Sequence, residues 1–447
     1  MQKAVWLFGE NRGATMNNNS WHTFHHLVTA MRNAPIDAFY ALERNPANEL
    51  RVADLPKQMR RRILWHSGRR HRAVFERADR FFITLSFGDI EPRQVAGGSD
   101  RRVPLVHLQH GTIGIKAVGY HGAYYRGTLD AFCTYNDEER ALLAAHNGFS
   151  PAQLFDMGFH PRYTELLRRA DAAVGSREIL WFLTWRDYLA DEHVSRLGAG
   201  DAALERDRRR FVDAIVDTLA EPALAEELES GDRTLRIGFH QFFDHGTVDA
   251  ISERLEAAAA GSSLARVRDR VTMSHGAEVD VMDLIARAEM LVTDYSSIAY
   301  DVTFLGRPVV LHLFDLDRYL EARTAYVDIR EVFTEHVSHA AAELAPAIAA
   351  AWGTVHPHYA ARVQPVVDEH VRDWVRSGGA TRRLIEAMIV RDAPLLAARA
   401  AADSSLLTPR ELRSGARKEP VVRMPAADVG VESLRAAAAD ANDLRGL

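Results

Sequence analysis

The stretch MLVTDYSSIAYDVTFLGRP, Met290 to Pro308, decides how this chain is read. Its apolar run, Met290 to Val292, stops at a polar turn, Thr293 to Ser297. Ile298, Tyr300, Asp301, Phe304 and Leu305 follow at helical spacing up to Gly306 and Pro308. The pattern predicts strand, turn, helix. Two adjacent serines opening a helix bring hydroxyls and unpaired backbone N–H groups to the positive end of its dipole, an arrangement suited to a phosphate.

The same alternation extends outward in both directions. Ala4 to Phe8, Ala38 to Leu42, Ile63 to Trp65, Phe81 to Leu85, Leu105 to Leu108 and Ala131 to Tyr135 read as strands, with helices at Trp21 to Met31, Arg70 to Ala78 and Glu138 to Ala145. Beyond a helical Pro161 to Ala173 a second set begins with strands at Glu178 to Thr184, Thr234 to Phe239, Arg270 to Met273 and Val309 to Leu313 around the opening stretch. Helices near Ala203 to Leu219 and Asp249 to Ala259 separate them. Such alternation builds βαβ units and parallel sheets covered on both faces, whose ligands sit at the carboxyl ends of the strands. The expected division is an N-terminal α/β domain over 1–172, a second over 176–337 and packed helices over 338–395. A disordered tail, 400–447, with one helix at Glu432 to Asp443, completes it.

Length and composition agree. A chain of 447 residues exceeds one compact core, and 47% hydrophobic with 26% charged residues is the balance of a soluble globular protein. No apolar run reaches the roughly 18 residues a bilayer span requires. The opening MQKAVWLFGENRG reads as a first strand and lacks the apolar core of a signal peptide. A single cysteine, Cys133, excludes an intrachain disulfide and fits a reducing cytoplasm. The net charge of −6 argues against nucleic acid as a partner. Local attraction remains in one place: Lys57, Arg60, Arg61, Arg62, Arg69, Arg70 and Arg72 lie close together without an acid among them, either as a solvated face or as a dock for acidic headgroups.

Three further stretches carry chemistry. Val106 to Thr112 ends a strand in His110-Gly111-Thr112, where glycine permits close backbone approach and histidine can take a proton near neutral pH. Leu235 to Gln241 ends another strand in His240. If both sheets face one cleft, one histidine serves as base on an acceptor hydroxyl and the other, protonated, steadies a phosphate. Leu311 to Tyr319 runs into an acidic turn where Asp315 and Asp317 either bind hydroxyls or a metal, or cap the next helix. No metal-ligand spacing is evident and no cofactor is expected.

Together these stretches resemble the CDP-glycerol glycerophosphotransferase family of teichoic acid primases and polymerases and related capsule polymerases. The shared elements are Trp6 to Glu10 with Asn17 to Asn19, His110-Gly111-Thr112, Leu235 to His240, Asp280 to Leu284, Asp294-Tyr295-Ser296-Ser297 with Asp301, and Asp315 with Tyr319. The resemblance implies a GT-B architecture: two Rossmann-like parallel-sheet domains facing a cleft, with a helical C-terminal segment. It implies transfer of glycerol phosphate from CDP-glycerol to a lipid-linked acceptor with release of CMP, on the inner face of the cell membrane. His110 and His240 fall on the essential histidines, and Gly111, Thr112, Asp294, Ser296, Ser297, Asp301 and Asp315 on the substrate-binding side. It also adds weight to the basic stretch as a peripheral membrane contact. Departures bear on the substrate. Ile113-Gly114-Ile115 interrupts the loop after Thr112 and leaves only Lys116 of its basic residues, Arg323-Thr324 replaces Arg-Gly, and Gln241 follows His240. CDP-ribitol, a GT-B glycosyltransferase using a nucleotide sugar, and a silent docking protein stand as the alternatives.

Overall fold

The computed structural model describes residues 3–92, 102–189, 201–259 and 263–405, apart from 126, 277 and 367. Two parallel sheets organise it. The first contains β1 (Ala4–Phe8), β2 (Ile36–Leu42), β3 (Ile63–Trp65), β4 (Arg80–Ile83), β5 (Leu105–His107), β6 (Leu129–Thr134) and β7 (Leu154–Asp156), in the order 3-2-1-4-5-6-7. The second contains β8 (Glu178–Leu183), β9 (Thr234–Phe239), β10 (Val271–His275), β11 (Ala288–Thr293), β12 (Val309–His312) and β13 (Val337–Ser338), in the order 10-9-8-11-12-13. Every pairing between these strands is parallel. Each strand order reverses once, between β1 and β4 and between β8 and β11, and such reversals open crevices at the strand carboxyl ends.

The central strands are buried on both faces because helices cover both. Trp6, Phe8 and Phe82 pack beneath the helix Asn19–Thr29, while Leu7, Ile83 and Phe132 face the helix Arg69–Arg77 side. The C-terminal helices complete the first sheet's core: Leu384, Ile385 and Met388 of Gly379–Arg391 join Trp6 and Phe24, and Asp392 accepts hydrogen bonds from Trp6 Nε1 at 2.8 Å and Arg80 Nη2 at 2.6 Å. Cys133 is buried in that core.

Some boundaries differ from the sequence reading. The strand expected to run to Leu85 ends at Ile83, because Thr84 and Leu85 turn their N–H groups onto the Asp89 carboxylate at 3.0 and 2.9 Å. The edge strands β7 and β13, three and two residues long, are absent from the sequence reading, and β13 opens the segment expected to be wholly helical. The basic stretch is split among the helix Lys57–Arg60, β3 and the helix Arg69–Arg77. The helix Ala393–Ser405 carries order past residue 400, and the rest of the expected tail, with its helix at Glu432 to Asp443, lies outside the described residues. Among the described residues no helix is long and apolar enough to cross a membrane.

Candidate active site

The His110 loop leaves β5 through Gln109, whose φ of 54° lies in the left-handed region that disfavours side chains. Glu139 holds it there. Its buried carboxylate accepts from Gln109 Nε2 at 3.1 Å, Ile113 N at 2.7 Å and Tyr135 N at 2.6 Å, clamping the chain on both sides of His110. Burial raises the Glu139 pKa to about 8, against the pull of those donors. Thr112 is occupied in the same scaffold: its Oγ lies 2.9 Å from His160 Nε2, and His160 Nδ1 lies 2.9 Å from Asn19 Nδ2, which also donates to Gln109 O at 2.9 Å.

This loop touches the second half of the chain directly. The opening stretch forms β11 and the helix Ile298–Phe304, as its pattern predicts, with Ser296 and Ser297 in the turn between them. A Cβ on Gly111 would stand 2.8 Å from Ser297 Oγ, and one on Gly114 would stand 1.7 Å from the Tyr300 hydroxyl. Only glycine allows these approaches. Further along, Ala117 N donates to Thr324 O at 3.0 Å and Tyr326 N to Ile115 O at 2.8 Å, an antiparallel stitch that brings Lys116 beside Arg323. A small cavity of about 20 Å³ opens here, lined by His110, Gly111, Lys116, Tyr295, Ser297 and Tyr300 among others.

His240 lies near enough to His110 for its charge to lower the His110 pKa. His110 is solvent-exposed by surface area; desolvation by the groups around it, followed by Lys116, Arg162 and His240, lowers its pKa. Burial, then Lys116, His275 and Arg323, brings His240 to about 4. The cations around them favour the neutral form of both histidines. Burial and the neighbouring Arg323 lower Lys116 to about 8, which leaves it cationic.

The three aspartates are placed differently from a substrate-facing set. Asp301 is buried and takes both Oδ atoms to Arg162 Nη2, at 2.6 and 2.7 Å, while Arg162 Nη1 donates to His110 O at 2.7 Å. Asp294 and Asp315 bracket the fully buried Arg186, at 2.8 Å to its Nη2 and 2.6 Å to its Nε. Asp294 also accepts from Thr184 N at 3.1 Å and Tyr295 N at 2.6 Å, and Asp315 from the Tyr188 and Tyr295 hydroxyls. Buried carboxylates this well matched by protein donors position the turn. Ser296 is buried and Ser297 half-buried at the cavity rim. The sequence reading did not single out Arg162 or Arg186, because nothing local says which of the chain's arginines lies inside. Among the described residues no group of three or more His, Cys, Asp or Glu is arranged around a metal position.

The basic stretch lies elsewhere. Lys57, Arg60, Arg61, Arg69, Arg70 and Arg72 are exposed, and Arg62 is half-buried, donating to Ala38 O at 3.1 Å. Arg61 and Arg62, with Arg32, edge an open groove floored by Leu27, Met31 and Phe39.

Residues 251–390 match the family model described as CDP-Glycerol:Poly(glycerophosphate) glycerophosphotransferase. A 53-residue segment is 42% identical to a teichoic acid glycerol-phosphate transferase of Staphylococcus aureus; the match spans 12% of this chain and 14% of that protein. Among solved structures, the wall teichoic acid polymerase TagF superposes with a TM-score of 0.55 at 14% identity, over 87% of this chain and 90% of that one. A variant of that polymerase gives 0.56 at 16% identity, over 88% and 89%. At these identities the likeness is one of fold, and the fold is the two-sheet GT-B arrangement.

Proposed function

We propose, from the match of residues 251–390 to the family model described as CDP-Glycerol:Poly(glycerophosphate) glycerophosphotransferase, that this chain transfers glycerol phosphate from CDP-glycerol to a hydroxyl of a lipid-linked acceptor. The product belongs to a teichoic acid or related envelope polymer, and CMP leaves. The observation that carries this reading is the convergence of His110, His240, Lys116, Arg323 and Ser297 where the two halves of the chain meet.

In this reading the donor pyrophosphate lies against the Ser296-Ser297 turn, with Lys116 and Arg323 on its oxygens. His110 takes the proton of the acceptor hydroxyl as that oxygen attacks the β-phosphorus; the new P–O bond forms as the bridging P–O bond to CMP breaks. His240 faces the departing phosphate. The negative charge of the donor raises the pKa of both histidines from their low starting values, so base strength arrives together with substrate. Gly111 allows close approach. Asp294, Asp301, Asp315 and Thr112 act through the groups they hold. Phe242, 62% exposed two residues beyond His240, offers a ring for the base to stack on. The exposed cations from Lys57 to Arg72 and the groove beside them suit a peripheral contact with the anionic inner leaflet where such an acceptor resides.

The test is to incubate the purified protein with a lipid-linked acceptor and CDP-glycerol, CDP-ribitol or UDP-sugars, following nucleotide release and product length. CMP release from CDP-glycerol above the rate without acceptor is expected. Turnover confined to CDP-ribitol would change the polyol; turnover confined to UDP-sugars would overturn the reaction class.

A further inference from the structure

One nitrogen of His110 is already engaged. Nδ1 lies 3.1 Å from the Tyr120 hydroxyl, and among the described residues Nε2 has no hydrogen-bond partner. Tyr120 is held firmly. Its ring meets His107 edge-on at 4.9 Å and 65°, and Phe132 at 5.7 Å and 62°. Its carbonyl accepts from Asn147 Nδ2; Asn147 Oδ1 accepts from the Tyr326 hydroxyl at 2.8 Å, which accepts from Val118 N at 3.2 Å. Tyr326 lies on the stitch that joins the two halves of the cleft.

We propose that Tyr120 is the positioning residue of the His110 base: its hydroxyl oxygen accepts from Nδ1–H and thereby keeps the Nε2 lone pair toward the cleft. This rests on the reading of His110 as the base. Free imidazole favours the Nε2–H tautomer, which has no lone pair at Nε2 to take a proton from an acceptor hydroxyl. When Nε2 takes that proton, Nδ1 keeps its own, and only an acceptor can face it; the Tyr120 oxygen fills that role while the imidazolium lasts, as a carboxylate does in hydrolytic triads. The Tyr326–Asn147 link makes the arrangement depend on the second half of the chain, so the base is set only where the donor side is docked. The other charged and titratable groups facing His110 are Lys116, Arg162, His240, His107 and His160, and no carboxylate is among those acting on its pKa.

Tyr120→Phe removes one hydroxyl and leaves the ring. Nitrogen chemical shifts of [15N]histidine-labelled protein, with His110→Ala to identify the resonance, should place the His110 proton on Nδ1 in the wild type and on Nε2 in the variant. In turnover the variant should lose about 10- to 100-fold in kcat with an unchanged donor KM, less than carboxylate loss costs a triad because phenol is the weaker acceptor. The acid limb of its pH–rate profile should move to lower pH, because the imidazolium has lost an acceptor. Nε2–H in the wild type overturns the proposal. So does a Tyr120→Phe enzyme with unchanged kcat, or one whose kcat falls without movement of the limb, which is what a merely structural role would give. The nitrogen shifts need no substrate, so they judge Tyr120 even if no CDP-alcohol is turned over, an outcome that would count against the proposed function instead.

Discussion

Arg162 joins the base loop to the phosphate turn, and cutting it should uncouple stability from activity in a defined way. Its guanidinium spans His110 O and both oxygens of Asp301, with side-chain exposures of 15% for Arg162 and 3% for Asp301. Asp301→Asn leaves the arginine with a neutral partner and a weakened fork. Removing one member of a buried ion pair costs about 3–5 kcal/mol, and the exposed edge of Arg162 points to the lower end, about 3 kcal/mol. Replacing both, as Arg162→Met with Asp301→Leu, removes the charges together and should recover most of that loss. Activity should not recover, because His110 O has lost its donor, and a displacement of about 1 Å at a reacting group costs on the order of 10²-fold in rate. Urea denaturation of the wild type, Asp301→Asn, Arg162→Met, Asp301→Leu and the double variant measures the first effect; CMP release measures the second. The reasoning fails if Asp301→Asn is as stable and active as the wild type, or if the double variant regains turnover along with stability.

Other expectations follow from the same geometry. His110→Ala and His240→Ala should each lower CMP release by about 10²- to 10⁴-fold with circular dichroism and melting behaviour unchanged, whereas Ser296→Ala should mainly raise the donor KM; near-normal turnover in both histidine variants would discard the mechanism. Gly114→Ala drives a methyl into the Tyr300 hydroxyl and should destabilise by about 1–3 kcal/mol; Tyr300→Phe in that background should restore part of it, since the hydroxyl removed has no hydrogen-bond partner among the described residues. Burial holds His71, His312 and His356 near pKa 4, His107 near 3 and His160 well below its ordinary value, so the stability they contribute is present above about pH 6.5 and lost as pH falls toward 4. Burial raises Glu10 to about 7 and Glu139 to about 8, and that contribution is complete below the unfolded value of 4.5 and lost as pH rises through 7 to 8. Urea midpoints should therefore peak near about pH 6.5 and decline on both sides, and a midpoint that is flat from pH 5 to 8.5 would contradict the assignment.

Much of the architecture is legible along the chain because its cause is local. An apolar run ending in Thr293 to Ser297 followed by helical spacing is a property of consecutive residues, and so are the strand-end positions of His110 and His240. Parallel pairing follows from the alternation, which leaves no hairpin turns to join neighbouring strands antiparallel. The edge strands β7 and β13 are absent from the sequence reading, and Asp89 shortened β4 through hydrogen bonds that span a turn.

What only the tertiary structure decided is which charges are spent on the fold. Asp294 and Asp315 stand beside predicted strand ends and Asp301 in the predicted helix, yet their partners come from residues over 100 positions away: Arg186 for two of them and Arg162 for the third. The same holds for the contact of Gly111 with Ser297 and of Lys116 with Ala325, which depends on how two separately folded sheets come together. Residue type and spacing along the chain determine strands, turns and the chemistry on offer. Whether a carboxylate faces a ligand or an arginine depends on desolvation and pairing at close range, and those exist only once distant segments are packed.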